Sequence, residues 1–157
     1  MNNEIVYKKL DAYDEIVQAK DLIVEYMKWL NADVCFQNIE DELNNFPENY
    51  KNPDGDFLIA KENNTVIGCV GIQKIDENIG EMKRLFVTKK YQGKGIGKRL
   101  VENIIEEAKK MRCRIIRLDT LKIMEKALGI YYKIGFYEIK PDYNNPYDDV
   151  LHLEMKI

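Results

Sequence analysis

The stretch Leu85–Lys110, LFVTKKYQGKGIGKRLVENIIEEAKK, carries an apolar strand into a glycine-rich turn, and the turn directly into a long amphipathic helix. In the turn, Gln92, Gly93, Lys94, Gly95, Ile96, Gly97 and Lys98 bring successive backbone N–H groups to a helix N-terminus, where the positive end of the helix dipole also lies. Such a site suits a phosphate or pyrophosphate. Three glycines within five positions leave no side chain to hold a ligand off the backbone, and they permit the φ values that a nest of amides requires.

Two familiar phosphate loops fail on spacing. A P-loop needs four residues between its glycines and a Ser or Thr after its lysine, whereas Gly93 to Gly97 is one residue short and Lys98 precedes Arg99. A dinucleotide fingerprint needs Gly-x-Gly-x-x-Gly, but the turn reads Gly-x-Gly-x-Gly, and no suitably placed acidic residue ends a following strand to hold a ribose. A third pattern, Gln/Arg-x-x-Gly-x-Gly, fits through Gln92, Gly95 and Gly97. With Glu81 upstream on the same strand, and Ala127, Tyr131, Gly135 and Phe136 downstream in an Ala-x-x-x-Tyr-x-x-x-Gly-Phe array, the chain resembles the GNAT superfamily of N-acetyltransferases along nearly its whole length.

The bulk properties agree with one globular domain over residues 1–157, since 45% hydrophobic content at this length supports a sizeable core. No apolar run is long enough to span a bilayer and the N-terminal MNNEIVYKKLDAYDE lacks a secretory hydrophobic segment, so a cytoplasmic protein without a membrane partner is expected. Cys35, Cys69 and Cys113 are odd in number and widely separated, which suggests reduced packing thiols rather than disulfides or zinc ligands. A net charge of −3 offers no general attraction to nucleic acid. His152, the single histidine, sits mid-strand and is expected to be structural, and no metal site is expected.

Periodicity outlines the remaining elements. A strand over Glu4–Leu10 precedes a helix with Asp11 or Asp14 as its capping carboxylate and Ile16, Ala19, Ile23, Met27 and Leu30 as its buried stripe. A second helix spans Ile39–Phe46, and Pro47–Gly55 reads as a loop. Phe57–Lys61 and Thr65–Lys74 form a hairpin turned at Asn63 and Asn64, and the strand bearing Glu81 follows. After the glycine turn, Ile96, Leu100, Val101, Ile104, Ile105, Ala108 and Met111 share one helix face. A strand at Arg114–Asp119, a helix at Met124–Ile134 stopped by Gly135, and strands at Tyr137–Lys140 and Val150–Lys156 complete the chain. The order β-α-α-β-β-β-α-β-α-β-β is an α/β fold with a mixed, mostly antiparallel sheet flanked by helices, and it matches the GNAT fold element for element.

The resemblance implies a chemistry and its residues. Acetyl-CoA is the implied co-substrate, with its diphosphate on the turn from Gln92 to Lys98 and its pantetheine arm along backbone groups of Phe86 and Val87. Glu81 is the implied general base, acting directly or through a water; the alternative is a surface carboxylate paired with Lys83. Tyr131 is the implied proton donor to the departing thiolate, whereas Tyr132, about 100° further round the helix, falls to packing or surface. The resemblance is incomplete at Met124, where many family members carry an Asn that contacts the cofactor.

The acceptor is less defined. Lys83 and Arg84 are expected to alternate across their strand, and Arg84 would suit an acid-bearing amine such as an amino acid, unless both residues are solubilising edge charges. Asn144 and Tyr147 are further candidates for the acceptor cleft. Three readings stay open: a small-molecule N-acetyltransferase working by direct attack in a ternary complex, a non-catalytic acyl-CoA-binding module, and a peptide or protein acetyltransferase. A homodimer also stays open, because no exposed apolar stripe marks an interface.

Overall fold

A computed structural model describes residues 4–30, 39–140 and 149–157. Its elements, in chain order, are β1 (Ile5–Lys9), α1 (Tyr13–Leu30), α2 (Ile39–Asn45), β2 (Gly55–Glu62), β3 (Thr65–Lys74), β4 (Ile79–Val87), α3 (Ile96–Lys110), β5 (Ile115–Leu121), α4 (Glu125–Ile134), β6 (Tyr137–Ile139) and β7 (Val150–Lys156). Single 3-10 turns stand at Glu48–Tyr50 and Lys89–Tyr91. The element order is the one the sequence implies. One seven-stranded sheet runs β1-β2-β3-β4-β5-β7-β6, antiparallel throughout except for the parallel pair β4–β5.

Alternation along the strands builds two cores, one on each face of the sheet. Leu58, Val70, Ile72 and Met82 point to one side, where Leu100, Val101, Ile104 and Ile105 of α3 cover them. The intervening Phe57, Ile59 and Cys69 point to the other, against Ala19, Leu22 and Ile23 of α1 and the rings of Phe46 and Tyr50. The α3 stripe is buried at all seven expected positions, and truncating a fully buried Leu100 or Ile104 would cost about 2–5 kcal/mol.

Two local expectations are corrected. The first is the cap of α1. The carbonyl of Ala12 accepts the first helical bond from Ile16 N–H at 3.0 Å, so Ala12 holds the N-cap position and has no side-chain oxygen to offer. Glu15 supplies the carboxylate instead of Asp11 or Asp14: its Oε1 accepts from Ala12 N–H at 3.1 Å, in the manner of the returning half of a capping box. Asp11 is drawn to Lys8, 2.7 Å away. The second is the segment Pro47–Gly55, which is no open loop, for its 3-10 turn buries Tyr50 against the sheet and Gly55 already belongs to β2.

Candidate active site

The glycine turn has the required local geometry. Gly93 and Gly95 adopt φ of 78° and 84°, in the left-handed region that L side chains avoid, and a Cβ built at either would meet nothing within 4 Å. Both therefore lie against open space. Gly95 is the N-cap of α3, and the first helical N–H to find an acceptor is that of Arg99, on Gly95 O at 3.1 Å. The N–H groups of Ile96, Gly97 and Lys98 are left pointing out of the helix start. Gln92 bends back to donate its Nε2 to Val87 O at 2.9 Å, which ties the turn to the end of β4. Lys94 is exposed, with its ammonium 5.3 Å from the centre of the Tyr91 ring, and Lys98 is exposed on the first turn of α3. Gly97 differs from its two neighbours: it is buried, and a Cβ there would come within 3.2 Å of Ile130 Cδ1, so it is small in order to seat α3 against α4.

The strand leading into this turn parts from its neighbour. β4 pairs with β5 only through Ile79↔Ile115, Gly80↔Ile116 and Glu81↔Arg117. β4 then continues to Val87, while β5 stays paired with β7 as far as Leu121. Among the described residues, the facing edges of the two strands beyond Glu81 have no sheet partner, and this wedge ends beside the glycine turn. Phe86 and Val87 lie on its β4 edge. The Val87 side chain is buried on the α3 side, whereas the Phe86 ring packs on the α1 side, 5.4 Å from the ring of Tyr26.

A bulge interrupts β4 within the wedge. The register with β3 shifts from Gly71↔Lys83 to Cys69↔Phe86, so Arg84 and Leu85 together stand opposite Val70, and Arg84 has φ of 61°. The expectation that Lys83 and Arg84 alternate across the strand is thereby overturned. Glu81 stands opposite Gln73, whose Nε2 reaches Asn49 O at 3.0 Å on the α2 side; Lys83, two residues on, shares that face. Arg84 turns to it too, with Nε 2.7 Å and Nη2 2.6 Å from Glu42 Oε2 of α2. Its side chain is 14% exposed and its guanidinium is engaged by Glu42, so it is neither an edge charge nor an open clamp for a carboxylate. Glu81 is half-buried, with Lys83 Nζ 3.7 Å from its Oε1.

Tyr131 enters from α4 and is buried, its ring 5.7 Å from that of Phe136. Burial, and then the neighbouring phenol of Tyr26, push its hydroxyl well above the ordinary phenol range, so it keeps its proton. Tyr26 is a further candidate, and sequence reasoning missed it. Its hydroxyl donates to Met124 Sδ at 3.5 Å, at the N-cap of α4, in the position where the resemblance led one to look for an amide. The only available signal was its place beside Met27 at the margin of the α1 stripe. Tyr132 is exposed.

The remaining candidates fall away from this centre or outside the described residues. Asn144, Tyr147 and Cys35 lie outside them. His152 is buried in β7 and holds Asp119 Oδ1 of β5 at 2.6 Å from its Nδ1, consistent with a structural role. Burial pushes the Cys69 thiol up to about 12, and Cys113 is raised for the same reason, so neither is an activated nucleophile. Among the described residues there is no group of three or more side chains able to hold a metal, and no helix is long and apolar enough to cross a membrane.

Comparison with known proteins gives this arrangement a context. A sequence model of the acetyltransferase (GNAT) family matches residues 21–136. An uncharacterized N-acetyltransferase of Dictyostelium discoideum is 31% identical over 98% of this chain and 100% of its own length. Another from Schizosaccharomyces pombe is 34% identical over 88% of this chain and 86% of its own. The crystal structure of the PaiA N-acetyltransferase of Thermoplasma acidophilum in complex with coenzyme A shares the fold, with a TM-score of 0.78 at 24% identity over 98% of this chain and 99% of that one.

Proposed function

The chain belongs to the acetyltransferase (GNAT) family, and on that premise we propose that it transfers the acetyl group of acetyl-CoA to a primary amine of a small-molecule acceptor by direct attack in a ternary complex. The observation that carries the proposal is the continuity of the bare glycine turn, Gly93 to Lys98, with the wedge between β4 and β5. A nucleotide diphosphate fits the first, and an extended arm with amide groups fits the unpaired strand edge of the second. Acetyl-CoA supplies both, together with a thioester.

The residues divide the work as follows. The amides from Gly93 to Lys98 grip the diphosphate, Lys94 and Lys98 add charge, and Gln92 holds the turn to Val87. Backbone groups of Phe86 and Val87 align the arm so that its acyl carbon comes beside Glu81 and Tyr131. Glu81 takes a proton from the acceptor ammonium, directly or through a water, because an amine of pKa near ~10 attacks only after losing one. Tyr131, held protonated by its burial, returns a proton to the thiolate as it leaves. Direct attack suits a site in which neither described thiol is activated. An acid-bearing acceptor clamped by Arg84 is the part of the reading that the site supports least, since Glu42 already engages that guanidinium.

Thiol release from acetyl-CoA against a panel of amino acids, polyamines, aminoglycosides and peptides tests the reaction and its acceptor class together. Thermal shift with CoA tests the first step alone: at ~100 times Kd the ligand adds about 2.7 kcal/mol, a rise of roughly 5–10 °C for a chain of this size. Binding without turnover of any amine would return the acyl-CoA-binding module, and no binding of CoA or acetyl-CoA by the folded protein would overturn the proposal.

A further inference from the structure

The ion pair between Glu42 and Arg84 joins a helix at the margin of the molecule to the one irregular residue of the central strand. Arg84 lies at φ of 61°, a conformation that a residue with a Cβ leaves unless something retains it. Several contacts retain it. Nε and Nη2 donate to Glu42 Oε2 at 2.7 and 2.6 Å, the Arg84 carbonyl accepts from Cys69 Sγ at 3.3 Å, and Nη1 lies 3.9 Å from Met27 Sδ of α1. Glu42 is fixed in turn: its other oxygen, Oε1, accepts from the hydroxyl of Tyr50, and its carbonyl accepts from Asn49 Nδ2 at 3.3 Å. Helix α2 has no fully buried side chain, and Ile39 and Leu43 are only partly buried against the α1-side core. The Glu42 side chain, 9% exposed, is therefore a main anchor of α2 on the sheet.

We propose that Glu42 is a positioning residue, which acts through Arg84 to hold the β4 bulge in its left-handed conformation and so sets where the backbone of Leu85–Val87 faces the wedge. The strand edge that aligns the acyl group and the helix that carries Glu42 are thereby one mechanical unit. The inference rests on the acetyl-transfer reading for its kinetic consequence, but the conformational link itself does not depend on it.

Three variants test the link. With acetyl-CoA and the best amine of the panel, Glu42→Gln should lower kcat at least tenfold while the KM for acetyl-CoA stays within about twofold, because the glycine turn is untouched. Glu42→Ala should lose at least as much. Adding Arg84→Gly to Glu42→Ala should restore a substantial part of kcat, measured per folded molecule well below Tm, since glycine takes the positive φ unaided. Removing the unpaired guanidinium also restores stability, but a role limited to stability would leave kcat per folded molecule unchanged in all three variants. The double variant also covers the case in which Glu42→Ala does not fold. Hydrogen exchange of the amides of residues 83–87, followed without ligand, separates this inference from the proposed function: Glu42→Gln should speed exchange there at least tenfold, with residues 68–72 of β3 much less affected. Unchanged exchange and kcat in Glu42→Gln, or a double variant no more active than Glu42→Ala, would overturn the proposal. If the wild-type protein turns over no amine while Glu42→Gln speeds exchange as stated, the acetyl-transfer reading fails and the link stands.

Discussion

Glu81 and Arg117 face each other in the last pair that β4 makes with β5 before the two strands part. Glu81 thus stands where sheet gives way to wedge, half-buried and near enough to Lys83 for a loose ion pair at 3.7 Å. Both of its expected readings, general base and surface partner of Lys83, are geometrically compatible. Substitution separates them: Glu81→Gln should lower kcat by about a hundredfold or more as a base, and Lys83→Ala should leave kcat within about threefold. Steady-state rates across pH check this, and full activity of Glu81→Gln at every pH would remove it from the mechanism.

The three glycines of the turn should respond differently. Gly93→Ala and Gly95→Ala force a Cβ into positive φ at a cost of roughly 1–2 kcal/mol, which corresponds to about tenfold in CoA affinity if the turn relaxes to avoid it. Gly97→Ala meets the flexible end of Ile130, 3.2 Å away, and Val87 Cγ2 at an ordinary contact distance of 3.8 Å. It should leave the Kd for CoA within about threefold. Titration calorimetry with CoA distinguishes the two outcomes.

The phenol of Tyr26 lies near enough to that of Tyr131 to raise it, and only Tyr131 is assigned to proton transfer. Tyr131→Phe should lower kcat about a hundredfold with the Kd for CoA unchanged. Tyr26→Phe loses the bond to Met124 Sδ and keeps its ring on Phe86. It should cost less than tenfold in kcat. Single-turnover rates of the chemical step provide the measurement, and equal losses in the two variants would assign a proton to Tyr26 as well.

Glu15 makes a prediction about stability and acid. Burial by itself would raise its carboxyl, but Lys61 and Lys8, each 2.8 Å from Oε2, and the Ala12 amide hold it well below the ordinary carboxylate range. A folded-state value below the unfolded value near ~4.3 means that this stabilisation is present above about pH 4 and is lost as pH falls towards the folded value. Glu15→Gln should therefore lower stability by about 3 kcal/mol at pH 7, roughly 10 °C in Tm. The deficit should shrink below about pH 4, because the wild-type protein loses the same interactions there. Parallel melts of both proteins from pH 7 to pH 3 check the sign.

The sequence by itself determined the order and type of the elements, the α3 stripe from Ile96 to Met111, the stop at Gly135 and the phosphate-like turn at Gln92 to Lys98. Each of these is written in local spacing: apolar residues every three or four positions, glycines where φ must be positive, strand alternation. Tertiary structure alone decided that Arg84 turns to Glu42 across forty-two positions of sequence, that β4 carries a bulge, that Gly97 is small for Ile130, and that Tyr26 packs on Phe86 and reaches Met124. These depend on which elements lie side by side. A register shift leaves no mark on the strand that carries it, since the same residues alternate normally until a partner strand and a distant carboxylate select the other conformation.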